Sequence, residues 1–168
     1  MKIGVFYGST NGNTAEAAKM IQHQLSAQSY DVGKLNSPTE LNQYDMLILG
    51  TSTWYDGELQ DDWESFMKHL GNAELNGKKV ALFGMGDQEG YGSDYVSGMK
   101  IIYDVVVEKG AIVIGSWSTE GYSYEHSASV IDGKFVGLAL DEDNQSELTA
   151  ERIDLWCKLL KSEMQVCA

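Results

Sequence analysis

Seven consecutive residues, Gly8-Ser9-Thr10-Asn11-Gly12-Asn13-Thr14, offer backbone N–H groups and hydroxyls at a density suited to holding an anion. A helix starting there adds the positive end of its dipole. No Lys or Arg occurs between Lys2 and Lys19, so a phosphate bound here is held by neutral donors alone. The loop is not a Walker loop, which ends in Gly-Lys-Ser/Thr where this chain has Gly12-Asn13-Thr14. Nor does it carry the Gly-x-Gly-x-x-Gly dinucleotide pattern. What remains is a site for a terminal phosphate that does not react, as on a bound mononucleotide. The competing reading is a plain turn and helix cap, which use the same residue types.

Two further loops pair aromatic with acidic residues. One reads Thr51-Ser52-Thr53-Trp54-Tyr55-Asp56-Gly57-Glu58-Leu59-Gln60-Asp61-Asp62-Trp63, the other Gly84-Met85-Gly86-Asp87-Gln88-Glu89-Gly90-Tyr91. Trp54 and Tyr91 on either side of one cleft suit a flat heterocycle, each stacking contact adding ~0.5–1.5 kcal/mol beyond area burial. Alternatively, the two rings only seal the top edge of a sheet. His23, His69 and His126 are scattered and read as ordinary surface residues. No Cys/His spacing indicates a metal, and no Ser-His-Asp arrangement indicates nucleophilic catalysis.

Elements must bring these loops together. Apolar runs at Ile3–Tyr7, Met46–Leu49, Val80–Phe83 and Ala111–Ile114 are continuous rather than alternating, as in a parallel sheet covered on both faces. A weaker run around Tyr30–Leu35 adds one strand. Helical stripes lie between: Ala17, Ala18, Ile21 and Leu25; Trp63, Phe66, Met67 and Leu70; Val96, Met99, Tyr103 and Val106; and Ile153, Trp156, Leu160 and Met164 behind Thr149 as N-cap. The alternation implies right-handed crossovers and an α/β fold, an open doubly wound parallel five-stranded sheet with helices on both faces. Ligands of such sheets sit at the carboxyl ends of the strands, where all three loops fall. A polar stretch from Thr119 to Lys134 interrupts the pattern. It reads as a loop inserted into the last strand, which resumes at Phe135-Val136-Gly137-Leu138-Ala139-Leu140.

The 168 residues suit a single domain spanning 1–168. No stretch reaches the length of a membrane span, and two cysteines, Cys157 and Cys167, are too few for a disulfide framework. Cys157 reads as a packing residue, Cys167 as a tail residue, and the protein as cytoplasmic. The net charge of −13 argues against nucleic acid and anionic membranes as partners. It permits steering toward a basic protein surface, although the charge by itself reads as solubility alone. Five carboxylates lie between Asp56 and Glu64; Asp87, Glu89 and Asp94 form a second set, and Asp141, Glu142 and Asp143 a third.

With these motifs in view, the chain resembles the long-chain flavodoxins, FMN-containing electron carriers, over essentially its whole length. The resemblance is carried by Gly8–Thr14, Thr53-Trp54, Gly57–Gln60, Gly86–Gln88 with Gly90-Tyr91, Gly115–Thr119 with Gly121-Tyr122, and Phe135–Gln145. It implies that Ser9, Thr10, Asn11, Gly12, Asn13 and Thr14 hold the FMN phosphate. Trp54 lies on one face of the isoalloxazine ring and Tyr91 stacks on the other. The backbone around Asp87 and Asp94 meets the pyrimidine end, and Asp143 lies near the ribityl chain. Thr51, Ser52, Thr53, Tyr55, Gly57, Gly84 and Gly86 complete the cofactor-binding set. The resemblance implies no catalytic residue and no metal ligand.

By the same resemblance, the donor is a flavodoxin/ferredoxin-NADP reductase with a basic docking surface. The acceptors are reductive enzymes, the carrier is a monomer, and the insertion serves partner binding. Two departures stand out: Ser52 replaces a common Pro, which loosens the entry to the loop. Tyr55-Asp56 lacks the Gly that eases a peptide flip under the flavin.

Charge then dictates the expected redox behaviour. One carboxylate ~8 Å from an anionic reduced flavin, at an effective dielectric of ~20, opposes it by about 2 kcal/mol. Several such groups make the protein a low-potential carrier shuttling between semiquinone and hydroquinone. The rival reading is an FMN-dependent NAD(P)H:quinone reductase on the same fold, which needs open space above the ring. A phosphate-binding signalling domain without flavin is a third.

Overall fold

The computed structural model describes residues 1–166; Cys167 lies outside the described residues. β1 (Ile3–Tyr7) pairs with β2 (Gln28–Asp31) on one side and β3 (Met46–Trp54) on the other. A short β4 (Glu58–Leu59) folds back antiparallel onto Thr53 and Trp54. β5 (Lys79–Met85) lies along β3. The fifth sheet position is shared: β6 (Ile112–Ile114) pairs with Lys79–Ala81 and β10 (Leu138–Leu140) with Phe83–Met85. Apart from β4, every pairing in this sheet is parallel.

The main helices fall on two faces, as the alternating apolar stripes require. α1 (Asn13–Leu25) and α5 (Thr149–Val166) cover one face with Ala17, Ala18, Ile21, Ile153, Trp156 and Leu160, packed on Val5, Ile48 and Phe83. On the other face, α3 (Asp61–Gly71) and α4 (Gly98–Glu108) bury Trp63, Phe66, Leu70, Met99, Ile102 and Val106 against Phe6, Leu47 and Leu82. A one-turn α2 (Thr39–Asn42) precedes β3. Trp63 and Trp156 are fully buried, and each indole N–H donates to a glycine carbonyl, Gly50 O at 2.7 Å and Gly115 O at 2.8 Å. These bonds satisfy groups that would otherwise be buried unpaired, while truncating a buried Trp costs roughly 3–5 kcal/mol. Among the described residues, no helix is long and apolar enough to cross a membrane.

Four local expectations change. The run at Tyr30–Leu35 is a strand only to Asp31, because the Asp31 carboxylate accepts from Gly33 N at 2.9 Å and turns the chain into a 3₁₀ helix, Val32–Lys34. Val96 lies before α4, with φ 48°, rather than on it. Thr149 is not an N-cap: it is helical, continues from a 3₁₀ turn at Ser146–Leu148, and donates its hydroxyl to Glu142.

The last strand also does not resume at Phe135. The excursion runs from Gly115 to Gly137 and forms its own antiparallel sheet, β7 (Trp117–Ser118), β8 (Val130–Ile131) and β9 (Lys134–Phe135), with β9 central. Phe135 is apolar because it packs with Tyr95, Tyr122 and Tyr124 at ring-centroid distances of 5.1–5.9 Å. Gly137 marks the re-entry: a Cβ there would collide with Leu82 O.

Candidate functional site

Strand order reverses between β1 and β3, and in open sheets that reversal opens a crevice at the strands' carboxyl ends. The loop from Gly8 to Gly12 leaves β1 at this point. Its base is held by Gly8 N to Gly50 O at 3.2 Å. Gly8 must be a glycine, since a Cβ would collide with Gln60 Oε1 and sit 2.8 Å from Trp63 Cδ1. The loop then folds on itself: Ser9 Oγ accepts from Gly12 N at 3.1 Å and Asn11 Oδ1 from Asn13 N at 3.2 Å. Gly12, the residue before α1, adopts φ 95° and offers no side-chain cap. Among the described residues, nothing accepts from the backbone N–H groups of Thr10, Asn11, Thr14 and Ala15. The helix start therefore presents four unpaired donors together with its dipole, and Thr14 is buried beneath them.

Asn11 and Asn13 also line a cleft of ≈ 220 Å³ that continues from this loop. Its walls carry Trp54 and Tyr55 from the end of β3, and Tyr91 from the loop after β5. Ser52 and Thr53, Met85–Asp87, Glu142 and Asp143 complete it. Tyr55 and Tyr91 are 66% and 55% exposed, so two rings stand open to solvent at the mouth. A larger cavity, ≈ 540 Å³, lies beside β6 under the excursion, but it combines neither a donor-rich helix start nor an aromatic pair.

The chain holds Trp54 in place. Ser52 lies inside β3 in register with Met85, and its hydroxyl accepts from the Trp54 indole N–H at 2.8 Å. A proline at that position would have no hydroxyl to offer, so Ser52 supplies a tether for the indole as well as an entry to the loop. Thr53 Oγ1 accepts from Gly98 N at 2.8 Å and thereby joins β3 to the start of α4. The turn after Trp54 already has a left-handed residue, Tyr55 at φ 48°, followed by Gly57 at φ 87°. The steric penalty expected only of a flipped turn is thus present at Tyr55 in this conformation.

Carboxylates gather in the cleft wall as well. Asp87, Asp141 and Asp143 bring one oxygen each within 4.8 Å of the others. Asp141 is fully buried, and N–H groups of Gln88, Asp143 and Asn144 occupy both its oxygens. Burial alone would raise the Asp87 pKa, but donors from Gly90 N, Asn144 Nδ2 and Glu89 N outweigh it and hold the carboxyl below its ordinary value. Asp143 shifts the other way, raised first by burial and then by the charges of Asp87, Asp141 and Glu142.

The sequence-derived set is therefore split by the structure. Asn11, Asn13, Ser52, Thr53, Trp54, Tyr55, Gly86, Asp87, Tyr91 and Asp143 line one cleft. Ser9, Thr10, Gly12 and Thr14 form the adjoining loop. Thr51 is buried and donates to Ser52 O, Gly84 packs under Val96 and Met99, and Asp94 lies against Gly57. These three, with Gly57, stand behind the cleft. Met85 and Glu142 line it without having been singled out. Gln60 was also missed: buried, it caps α3 by accepting from Trp63 N and donates to Thr10 Oγ1 at 3.2 Å. Glutamine is an unusual cap, so only its place three residues before Trp63 hinted at the role.

The model of the family described as Flavodoxin matches residues 5–156. The chain belongs to the flavodoxin family. It is 46% identical to Flavodoxin 1 of Escherichia coli, covering 97% of this chain and 94% of that one. Against the flavodoxin of Haemophilus influenzae the identity is 44%, over 96% and 95% of the two chains. Among solved structures it is similar to the Fusobacterium nucleatum flavodoxin bound to flavin mononucleotide, with TM-score 0.91, 36% identity and coverage of 96% and 98%. The split fifth position and the order β2-β1-β3-β5 are thus the flavodoxin sheet. Flavodoxins transfer electrons rather than transform substrates, and the reading as a quinone reductase is set aside.

Proposed function

We infer that this protein binds FMN non-covalently and carries electrons one at a time between partner proteins. The observation that supports it best is the set of four unpaired N–H groups at the start of α1, continuous with a cleft flanked by Trp54 and Tyr91. A phosphate fits the donors, a planar ring fits the aromatic cleft, and Asn11 and Asn13 belong to both. Ser9–Thr14 would hold the phosphate, Trp54 and Tyr91 would flank the ring, the backbone near Asp87 and Asp94 would meet its pyrimidine edge, and Asp143 would lie near the ribityl chain. Thr51, Gly57 and Gly84 support these segments from behind.

FMN supplies the redox chemistry; the chain supplies grip and field. Stacked rings exclude water, and Asp87 and Asp143 set negative charge beside the place where reduction would add more. The lower one-electron couple is thereby depressed below that of free FMN, which makes the protein a strong donor. The partners we propose are reductases and reductive enzymes with basic docking surfaces. Asp56, Glu58, Asp61 and Glu64 are exposed near the cleft mouth. Among the described residues, the ion pairs are Lys100–Asp104 and Lys158–Asp154, so these acids remain free to meet a partner. We further propose a cytoplasmic monomer acting as one domain.

Reconstitution with FMN tests the reading. Fluorescence titration should give tight one-to-one binding, and NADPH should bleach the flavin only after a reductase is added. A protein that leaves FMN fluorescence unchanged would falsify it.

A further inference from the structure

Gln88 is buried, 4% exposed, between Asp87 and the loop that carries Tyr91. Its backbone N–H and its Nε2 donate to the same oxygen of Asp141, at 3.0 and 2.8 Å. Its Oε1 accepts from Ser123 N, in the excursion, at 2.6 Å. Asn144 works from the opposite side, with Nδ2 donating to Asp87 Oδ1 at 2.8 Å and to Asp141. Three segments distant in sequence are thereby tied at one buried point: the loop after β5, the excursion, and the turn after β10. Backbone bonds reinforce the join, with Glu125 N and His126 N donating to Gly92 O and Tyr95 N to His126 O.

A surface glutamine would contribute little, but here both the amide nitrogen and the oxygen of the side chain are used, and removing it takes one donor from the buried Asp141 carboxylate and leaves Ser123 N without its acceptor. The join also brings three carboxylates together, which repel one another unless donors hold them. Asp87 and Asp143 line the cleft, so the join governs how close their charge comes to whatever the cleft holds.

We propose that Gln88 is a positioning residue for electron transfer: through Asp141 and Ser123 it fixes the segment Asp87–Tyr91 against the flavin and so sets the lower one-electron potential. This rests on the FMN reading above. Gln88 is not among the residues that line the cleft; it acts through its neighbours.

The test uses full-length, FMN-loaded protein and compares Gln88→Leu, Asn144→Ala and Tyr122→Phe. Spectroelectrochemistry reads the potentials, fluorescence quenching the FMN affinity, and thermal melts the apoprotein stability. Gln88→Leu should weaken oxidised FMN binding about tenfold. It should also change the ratio of affinities for the two reduced states about tenfold, which raises the lower couple by ~59 mV. Asn144→Ala loosens the same join from its less buried side and should move the potential in the same direction by a smaller amount. Tyr122→Phe removes the bond from Trp117 Nε1 within the excursion and the bond to Ala139 O in β10, both outside the join, and should lower the melting temperature with the potentials unmoved. If the Gln88 and Asn144 variants bind FMN and keep wild-type potentials, or if Tyr122→Phe shifts them equally, the proposal fails alone. If wild-type protein ignores FMN, the cofactor reading fails first.

Discussion

The loop Ser9–Thr14 meets the cleft with backbone N–H groups and a helix start, whereas Asp87, Glu142 and Asp143 contribute carboxylates to its lining. One set of groups welcomes negative charge without using a cation; the other resists it. A ligand with a permanent anion at one end and a reducible ring at the other experiences both. Grip is the business of the first set and potential the business of the second, so the two should respond separately to mutation.

Breaking the donor set should give the largest effect. Thr14→Asp places a carboxylate beneath the unpaired N–H groups and should weaken FMN about a thousandfold, roughly 4 kcal/mol, while leaving riboflavin affinity nearly unchanged. Fluorescence titration with both ligands checks this, and equal losses for the two would show that the loop does not hold the phosphate. Next comes the ring wall: Trp54→Ala should cost about 2 kcal/mol with either ligand, because stacking is indifferent to the phosphate.

The acidic set should shift potential more than affinity. Asp143→Asn should raise the lower couple by some tens of millivolts (about 1 kcal/mol before salt screening) with FMN affinity in the oxidised state little changed. The pH sign follows from opposite shifts. Asp143 has a raised pKa, so the folded protein takes up that proton before the unfolded chain does, and acidification through its folded value relieves repulsion and favours folding there. Asp87 has a lowered pKa; its contribution is present above the ordinary carboxylate value and is lost as pH falls through its lower folded value. A potential that rises on mild acidification more in wild type than in Asp143→Asn is the expected outcome of redox titration at several pH values.

The smallest effect belongs to the tether. Ser52→Ala removes the Trp54 indole bond and should weaken FMN about fivefold, roughly 1 kcal/mol, a net hydrogen bond's worth. Ser52→Pro should do the same, and undiminished affinity in both would mean that packing alone holds Trp54.

The framework was legible because the central parallel strands β1, β3 and β5 are buried on both faces and each main helix on one. Val80–Phe83 and the Ala17–Leu25 stripe therefore announce themselves by composition. Boundaries were less legible where a side chain, not a pattern, decides. Asp31 ends β2 by capping the next turn, and Gly137 separates two apolar stretches that read as one strand. In the site, loops at strand ends pointed to Trp54, Tyr91 and Thr14 through residue type and place. Gln60 and Gln88 stood in recognisable motifs, but their roles were not legible because glutamine has no strong local preference and the roles exist only once segments distant in sequence converge.

The shared fifth position of the sheet has a consequence for how the chain can change. β5 accepts two short segments end to end, and the detour between them leaves at Gly115 and re-enters at Gly137, where the backbone presses on Leu82. Neither junction asks the intervening residues to keep a sheet register. The detour can therefore lengthen or shorten at its tip without shifting the pairing of the strands beneath, provided that the residues tied to the scaffold, such as Tyr122 and Ser123, keep their partners.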